Sequence, residues 1–149
     1  MEYIIRKCEK NDLPILVKLC QNHAEYEQAS YNPMGKQELL ERAIFSDSPQ
    51  LFCYIIECKE KVTGYFSYTF DFSTWDANRF LYMDCLYLEP ESRGFKIGEG
   101  VIEKLKEIAR QYDCINIQWQ TPVFNDRAIK FYNRIGGTGK SKMRFFIGI

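Results

Sequence analysis

The amino-acid sequence predicts an α/β (α+β) protein in which one mixed sheet of parallel and antiparallel strands carries helices on both of its faces. Apolar and β-favouring residues at 81–88 predict a buried strand, which leads through a glycine-containing turn into a helical pattern at 101–112. Two more strand-like segments lie at 51–58 and 62–72, and the second alternates between its two faces. Along the chain the predicted elements follow the order βααβββαβαβ, which fits this fold class.

The N-terminal third predicts a short edge strand and two helices. The strand covers residues 2–7, and Asn11–Asp12 offers N-cap chemistry for the helix that follows. Pro14 suits the first turn of that helix, since a proline there loses no intrahelical hydrogen bond. The sequence Asn-Pro-Met-Gly at 32–35 interrupts the helical pattern, so we expect a loop before a second helix at roughly 36–45.

The C-terminal half continues the sheet. A third strand of an antiparallel meander is predicted at 79–89, after a turn. Beyond the helix at 101–112, residues 115–121 alternate as a further strand. A last helix is predicted over 125–135, where a glycine pair stops it, and residues 142–149 are predicted to form the closing strand.

Length and charge limit the function classes. With 149 residues, the chain is expected to form one domain over 1–149. Twenty basic and twenty acidic residues balance, whereas a nucleic-acid-binding protein usually has a basic excess. The sequence has neither the pattern of a signal peptide nor an apolar stretch long enough to span a bilayer. We therefore expect neither nucleic acid nor membrane as a partner.

The cysteines and the single histidine argue against a metal site. None of the six cysteines forms a C-x-x-C pair, and His23 is the only histidine. Zinc is therefore not expected. In a chain without an export signal, the cysteines are expected to be reduced, largely buried thiols of a cytoplasmic protein.

The turn at 93–98 is the strongest candidate for a binding site. A strand, a turn and a helix start place free N–H groups and the positive end of a helix dipole in one spot, which suits a phosphate. The P-loop pattern and the dinucleotide fingerprint are both absent from the sequence. A turn of this kind also occurs for packing reasons alone, so its composition leaves both interpretations open.

The stretch LYMDCLYLEPESRGFKIGEGVIEKL at 81–105 resembles the acetyl-CoA-binding motif of the GNAT (Gcn5-related) N-acetyltransferase superfamily, usually written R/Q-x-x-G-x-G/A. The resemblance covers nearly the whole chain and is closest to the diamine (spermidine/spermine) acetyltransferase branch. It implies that backbone amides of the turn hold the pyrophosphate of acetyl-CoA, with no metal. Lys96 stands where the motif has its first glycine, and its side chain could either crowd the pyrophosphate or add a phosphate contact.

Residue by residue, the resemblance implies a set of acetyl-CoA contacts along the strand, the turn and the last helix. These are Leu86, Tyr87, Leu88, Arg93, Gly94, Phe95, Lys96, Ile97, Gly98, Glu99, Asn125, Lys130 and Phe131.

Transfer of an acetyl group from a thioester to an amine needs a base for the amine, a donor for the oxyanion and an acid for the leaving thiolate. The resemblance assigns the acid to Tyr132, the water-relayed base to Asp84 and the oxyanion donor to the backbone N–H of Leu86. A core tyrosine and a salt bridge from Asp84 to Arg79 are the structural alternatives. A nucleophilic Cys85 is conceivable, although no adjacent histidine would activate it.

The acceptor side is indicated by Tyr26, Glu27, Trp75 and Cys85, which are candidate substrate contacts. Asp71 and Asp76 could also line an acidic cleft. Cys85 stands where the diamine acetyltransferases have an acidic residue. A smaller amine, a thialysine-like amino acid or an amine that also carries an acid therefore fits better than a polyamine.

Two alternatives to a small-molecule acetyltransferase stay open at this point: a CoA-binding regulatory module and an enzyme acting on a protein or peptide amine. The resemblance also implies a homodimer. Exposed apolar surface near the closing strand, with Phe145, Phe146 and Trp119, would drive the association.

Overall fold

The computed structural model describes residues 1–149, which form a five-stranded sheet and four α-helices. The strands lie side by side in chain order, and the first four pair antiparallel while the fifth pairs parallel to the fourth. The strands are β1 (Tyr3–Lys7), β2 (Phe52–Cys58), β3 (Lys61–Ser73), β4 (Asn78–Leu88) and β5 (Ile117–Gln118). The helices are α1 (Leu13–Tyr26), α2 (Lys36–Phe45), α3 (Ile97–Gln111) and α4 (Asp126–Arg134). The predicted fold class is confirmed.

Helices cover the sheet on both faces because β2, β3 and β4 carry apolar side chains on both sides. Phe66 and Leu81 are fully buried on one face and pack in the same cluster as Leu105 of α3. Tyr65 lies on the other face, where the buried leucines of α1 cover it. Strands buried on both faces show near-continuous apolar runs. This arrangement explains why the core residues of β3 are consecutive.

Strand β4 contains a β-bulge at Asp84. In the pairing with β3, Ser67 lies opposite Cys85 and Tyr68 lies opposite Met83, so Asp84 has no partner. A bulge bends its strand and re-aims the side chain at that point. On its other side, β4 pairs with β5 only through Leu81 and Tyr82. Residues 83–88 therefore have an open edge beside the bulge.

The two C-terminal strand predictions need correction. Only Ile117–Gln118 of the predicted strand 115–121 pairs, because β4 and β5 separate beyond Tyr82. The predicted closing strand at 142–149 is wrong, since these residues form no strand. The C-terminal tail (138–149) is exposed along its whole length. Its β-favouring residues meet no strand edge within the chain, and a strand forms only where its backbone groups are paired.

Several predictions from local sequence patterns are confirmed by the structure. Pro14 lies in the first turn of α1, the side chain of Asn125 accepts a hydrogen bond from the Ala128 N–H at 3.2 Å, and Gly136 follows α4 with φ +89°. Asp12 precedes α1, but its carboxylate binds Arg6 and the Glu9 N–H in place of a helix N–H.

All six cysteines are free thiols, and no cluster of three or more possible ligands forms a metal site. None of the helices has the length and apolar character needed to cross a membrane.

Candidate active site

A cavity of about 740 Å³ opens beside the free edge of β4, between α1, α3 and α4. This volume lies within the range of small-molecule sites. Most of the sequence-predicted site residues line it. They are Tyr26, Glu27, Asp84, Leu86, Tyr87, Leu88, Arg93, Gly94, Lys96, Ile97, Gly98, Glu99, Asn125, Lys130, Phe131 and Tyr132.

Three predicted site residues do not line this cavity. Trp75 is 98% exposed at the turn between β3 and β4, and Phe95 is also exposed. Cys85 lies behind the cavity wall, beside Tyr65. The two further acidic candidates, Asp71 and Asp76, lie on the same β3–β4 hairpin as Trp75 and do not line the cavity either.

Arg93 fixes the turn at 93–98 to the end of β4. Its Nε donates to the carbonyl oxygen of Leu88 at 2.8 Å. Its guanidinium carbon lies 4.4 Å from the ring centroid of Tyr26 and 5.5 Å from that of Tyr87. A planar guanidinium suits this combination of hydrogen bond and ring contacts. The arginine thereby ties strand, turn and helix α1 together at one end of the cavity.

Lys96 adopts the backbone conformation that usually requires glycine. Its φ is +62°, in the left-handed region, and it is the N-cap of α3. A non-glycine residue in this region costs roughly 1–2 kcal/mol. The side chain is exposed, so it crowds no core residue. The turn therefore forms with a lysine at the glycine position of the motif, and the lysine adds a cation to the cavity wall.

The start of α3 fits the acetyl-CoA that the sequence motif implies. The first turn of a helix leaves N–H groups without intrahelical partners, and these groups bind phosphate. A Cβ on Gly98 would lie 2.9 Å from Cζ of Phe131, so only glycine lets α3 approach α4 this closely. The open edge of β4 offers further unpaired backbone groups, which an extended amide-containing ligand can bind.

Tyr132 of α4 lies half-buried in the cavity. Its ring centroid is 5.1 Å from that of Trp119 and 5.2 Å from that of Phe131. Burial, and secondarily the negative charge of Glu27, raises the pKa of Tyr132 to about 12. The hydroxyl therefore stays protonated at neutral pH and can donate a proton.

Asp84 is exposed at the bulge and forms no ion pair. The alternative salt bridge to Arg79 is absent, since that guanidinium lies 5.5 Å from the ring centroid of Phe70 instead. The Cys85 thiol donates to Oδ2 of Asp84 at 3.6 Å. Burial, and then the charge of Asp84, raises the pKa of Cys85 to about 12. A thiol that stays protonated is a poor nucleophile.

The sequence interpretation missed part of the cavity wall. His23 lies one helical turn before Glu27, and this i, i+4 spacing was the signal that could have found it. No local signal marks the others, because they face the cavity only through the packing of β4, β5 and α4. These residues are Met83, Gln120, Thr121, Arg127, Ala128 and Arg134.

Comparison with known proteins places the chain beside acetyltransferases. The family model described as "Acetyltransferase (GNAT) family" matches residues 16–137. The chain is 30% identical over 141 residues to a thialysine N-epsilon-acetyltransferase from Bos taurus, covering 89% of this chain and 82% of that protein. It is 26% identical over 148 residues to a spermidine/spermine N(1)-acetyltransferase-like protein 1 from Homo sapiens, covering 91% of this chain and 21% of that protein.

Solved structures show the same fold. A CoA complex of an aminoglycoside N-acetyltransferase superposes with a TM-score of 0.81 at 14% identity, covering 99% of this chain and 95% of that one. At this identity the likeness concerns the fold alone.

Proposed function

Because the chain belongs to the GNAT acetyltransferase family, it is an acetyl-CoA-dependent N-acetyltransferase, and we propose that its acceptor is a primary amine of a small molecule. One observation carries this proposal. The Tyr132 hydroxyl and the carboxylates of Glu27 and Asp84 line the same cavity, which begins at the helix start suited to a phosphate. This arrangement offers an acid, a base and an anionic contact for an amine beside one binding site.

We propose that the donor lies along the open edge of β4 with its pyrophosphate at the α3 turn. Arg93, Gly94 and Gly98 would form that turn, and Lys96 would add a cationic contact. The other acetyl-CoA contacts that we propose are those named in the sequence analysis. Bound acetyl-CoA supplies an activated thioester. Its sulfur leaves as a thiolate, which a proton donor stabilises.

The residues around the reacting atoms divide the proton transfers. An alkylamine has a pKa of about 10.4, so it must lose a proton before it attacks. We propose that Asp84, exposed at the bulge, accepts this proton through a water molecule. The N–H of Leu86, on the open edge of β4, donates to the developing oxyanion. Tyr132 then donates its proton to the leaving sulfur, because its raised pKa keeps it protonated, and the phenolate regains a proton from the nitrogen as the amide forms.

We propose a thialysine-like amino acid, or another small amine that carries an acid, as the acceptor. Cys85, at the position where the diamine acetyltransferases have an acidic residue, does not line the cavity and adds no negative charge to it. Arg127, Lys130 and Arg134 also line the cavity and offer cations. The relative that is 30% identical is named for thialysine. A polyamine is the second candidate, supported by the spermidine/spermine relative.

An amine panel tests the proposal. Acetyl-CoA is the donor in every assay, and release of the CoA thiol is followed spectrophotometrically. The acceptors compared are thialysine, lysine, putrescine, spermidine and a peptide with a free N-terminal amine. We expect amine-dependent release that is fastest with thialysine. Fastest release with spermidine would identify the polyamine candidate, and release with the peptide alone would identify a protein acceptor. Binding of acetyl-CoA without amine-dependent release would contradict the function and favour a CoA-binding module.

We further propose that the protein is one domain and a homodimer in the cytoplasm. A single sheet with a core on each face supports one domain over 1–149. Six free thiols are typical of a reducing compartment. Phe146 and Ile147 in the C-terminal tail are 90% and 91% exposed, which supports a second copy as the cover for this apolar segment.

A further inference from the structure

His23 is held from three sides at the wall of the cavity. Its Nε2 lies 3.1 Å from Oε1 of Glu27, and its Nδ1 lies 3.0 Å from the hydroxyl oxygen of Tyr65. Its ring stacks on Tyr87 at 5.3 Å between centroids. Only 13% of its side chain is exposed. Contacts with α1, β3 and β4 therefore fix the plane of the imidazole and the direction of both nitrogens.

Glu27 lies at the end of α1 and carries a charge that no other side chain neutralises. Its side chain is 33% exposed and lines the cavity, and His23 is its only side-chain hydrogen-bond partner. Its negative charge contributes to the raised pKa of Tyr132, so the carboxylate lies close to the candidate acid. A carboxylate in this position attracts a cation that enters the cavity.

The Glu27 side chain accepts no hydrogen bond from a backbone N–H, and His23 is its only side-chain partner. The helix ends at Tyr26, Glu27 is its C-cap, and Gln28 already has φ +58°. A glutamate fixed in one rotamer loses side-chain conformational entropy. The hydrogen bond from His23 is the contact that offsets this loss and directs the carboxylate.

The partners of His23 indicate which imidazole nitrogen carries the proton, because the Glu27 carboxylate at Nε2 can only accept a hydrogen bond. Burial strongly raises the pKa of Tyr65, so its hydroxyl stays protonated and can donate to Nδ1 of His23. A neutral ring that accepts at Nδ1 carries its proton on Nε2. That proton points to Glu27. The three residues thus form an ordered chain of donors that ends at the carboxylate in the cavity.

We propose that His23 is a positioning residue for acceptor recognition. Held by Tyr65, it directs the Glu27 carboxylate toward Tyr132, where the carboxylate binds an ammonium group of the acceptor. This inference rests on the proposed amine acetylation and adds to it the residue that sets amine affinity. His23 acts through Glu27 and takes no part in proton transfer to the sulfur.

Three substitutions of His23 separate its two contacts. His23→Gln can place an amide N–H near the Nε2 position, whereas His23→Asn reaches only the Nδ1 position and His23→Leu offers neither. A hydrogen bond to a charged group is worth about 1.5–3 kcal/mol. We therefore expect the amine KM to rise about 10-fold or more in His23→Leu and His23→Asn. His23→Gln should stay within about 3-fold of the wild type, and kcat and the acetyl-CoA KM should change little in all three.

A double-mutant cycle tests whether His23 acts through Glu27. Glu27→Gln alone should raise the amine KM, and His23→Leu added to it should have no further effect. The control is Gln21→Leu, because Gln21 and Glu25 form a similar i, i+4 pair on α1 outside the cavity, at 3.4 Å. This control should leave the amine KM unchanged.

The outcomes distinguish this inference from the proposed function. A wild-type protein without amine-dependent CoA release overturns both. An active wild type with an unchanged amine KM in His23→Leu, or with additive effects in the double mutant, overturns the positioning role alone. If His23→Leu does not fold, Tyr65→Phe decides, since it removes one hydroxyl only. We expect it to raise the amine KM several-fold at unchanged kcat, and an unchanged KM overturns the inference.

Discussion

Among the single residues of the site, Tyr132 is half-buried and its side chain lines the cavity. Its pKa of about 12 is above its ordinary value of 10.0, because the half-buried site disfavours the phenolate and Glu27 adds a negative charge. A raised pKa keeps the proton on the hydroxyl as the pH rises. The candidate acid therefore remains competent throughout the range in which the amine loses its proton.

We expect Tyr132→Phe to lower kcat by about 10²–10⁴-fold, the usual contribution of a general acid. The acetyl-CoA KM should change little, because the proton is donated mainly in the transition state. In the wild type, ionisation of Tyr132 should cause no fall in kcat up to about pH 10. Steady-state kinetics across pH measures both. The matched control is Tyr68→Phe, a buried tyrosine outside the cavity, and nearly full kcat in Tyr132→Phe would make Tyr132 a packing residue.

Asp84 belongs to the same scale, because one unpaired position in β4 exposes its carboxylate. We expect Asp84→Asn to flatten the rise of kcat/KM with pH on the acidic side, since an amide cannot accept the amine proton. Asp71→Asn, on the hairpin outside the cavity, is the control. A pH profile in Asp84→Asn that keeps the acidic limb of the wild type would assign the base to another group.

At the scale of elements, the bulge in β4 and the short β5 together produce the site. Beyond Tyr82 the two parallel strands separate, so the backbone of residues 83–88 stays unpaired on one side. The start of α3 lies at the end of the same strand, where Arg93 holds the turn to Leu88. An unpaired strand edge and a helix N-terminus therefore meet at one cavity.

The N-terminal elements are joined by an ion pair between Arg6 of β1 and Asp12 before α1. The pair is bidentate, with N–O distances of 2.7 and 2.8 Å, and the Asp12 side chain is 10% exposed. The Arg6 guanidinium holds the pKa of the Asp12 carboxyl below its usual value. A lowered folded-state pKa contributes stability above the unfolded-state pKa, and this contribution is lost as the pH falls through the folded-state value.

We expect Asp12→Asn to lower the free energy of unfolding at neutral pH by about 1–3 kcal/mol. Its stability should also fall less steeply than that of the wild type below about pH 4, because the titrating carboxylate is gone. Urea unfolding at several pH values measures both effects. Asp47→Asn, exposed in the loop after α2, serves as the control. If the free energy of unfolding falls equally steeply with decreasing pH in Asp12→Asn and in the wild type, titration of Asp12 does not contribute to the loss of stability in acid.

At the level of the whole molecule, the C-terminal tail is an exposed segment with several large apolar side chains. Phe145, Phe146 and Ile147 are exposed together, and a contiguous apolar patch on a protein surface marks an interaction site. No strand edge within the chain pairs with the tail. A second copy of the chain is the partner that we propose for it.

Light scattering at micromolar concentration should give twice the mass of one chain. A double substitution, Phe146→Ser with Ile147→Ser, should shift the mass to that of the monomer, because it removes the apolar area that a stable interface buries. Phe72→Ser with Trp75→Ser, on the exposed β3–β4 hairpin, is the matched control and should remain dimeric. A wild-type monomer at this concentration would remove the dimer from the proposal.

Local patterns in the amino-acid sequence were sufficient to predict most helices and strands and the motif at 93–98. Periodicity, caps and turns act over a few residues, so the four helices and the first four strands were predictable, as were the Asn125 cap and the stop at Gly136. The motif at 93–98 was equally visible, because the residues of a helix start are consecutive. Apart from Phe95, the predicted cofactor contacts of β4 and of this turn line one cavity because they follow one another in the chain, whereas those at Asn125, Lys130 and Phe131 reach it through packing.

Which side chains contact one another depends on how the helices and strands pack, and this could not be predicted from local patterns. The bulge at Asp84 depends on the register between β3 and β4, and no local pattern encodes a register. His23 faces the cavity because α1 packs across β3 and β4, whereas Trp75 points into solvent at a hairpin tip. The tail has the composition of a strand but pairs with none of the strands of the sheet. A strand needs a neighbour, and the neighbour is a property of the assembled fold.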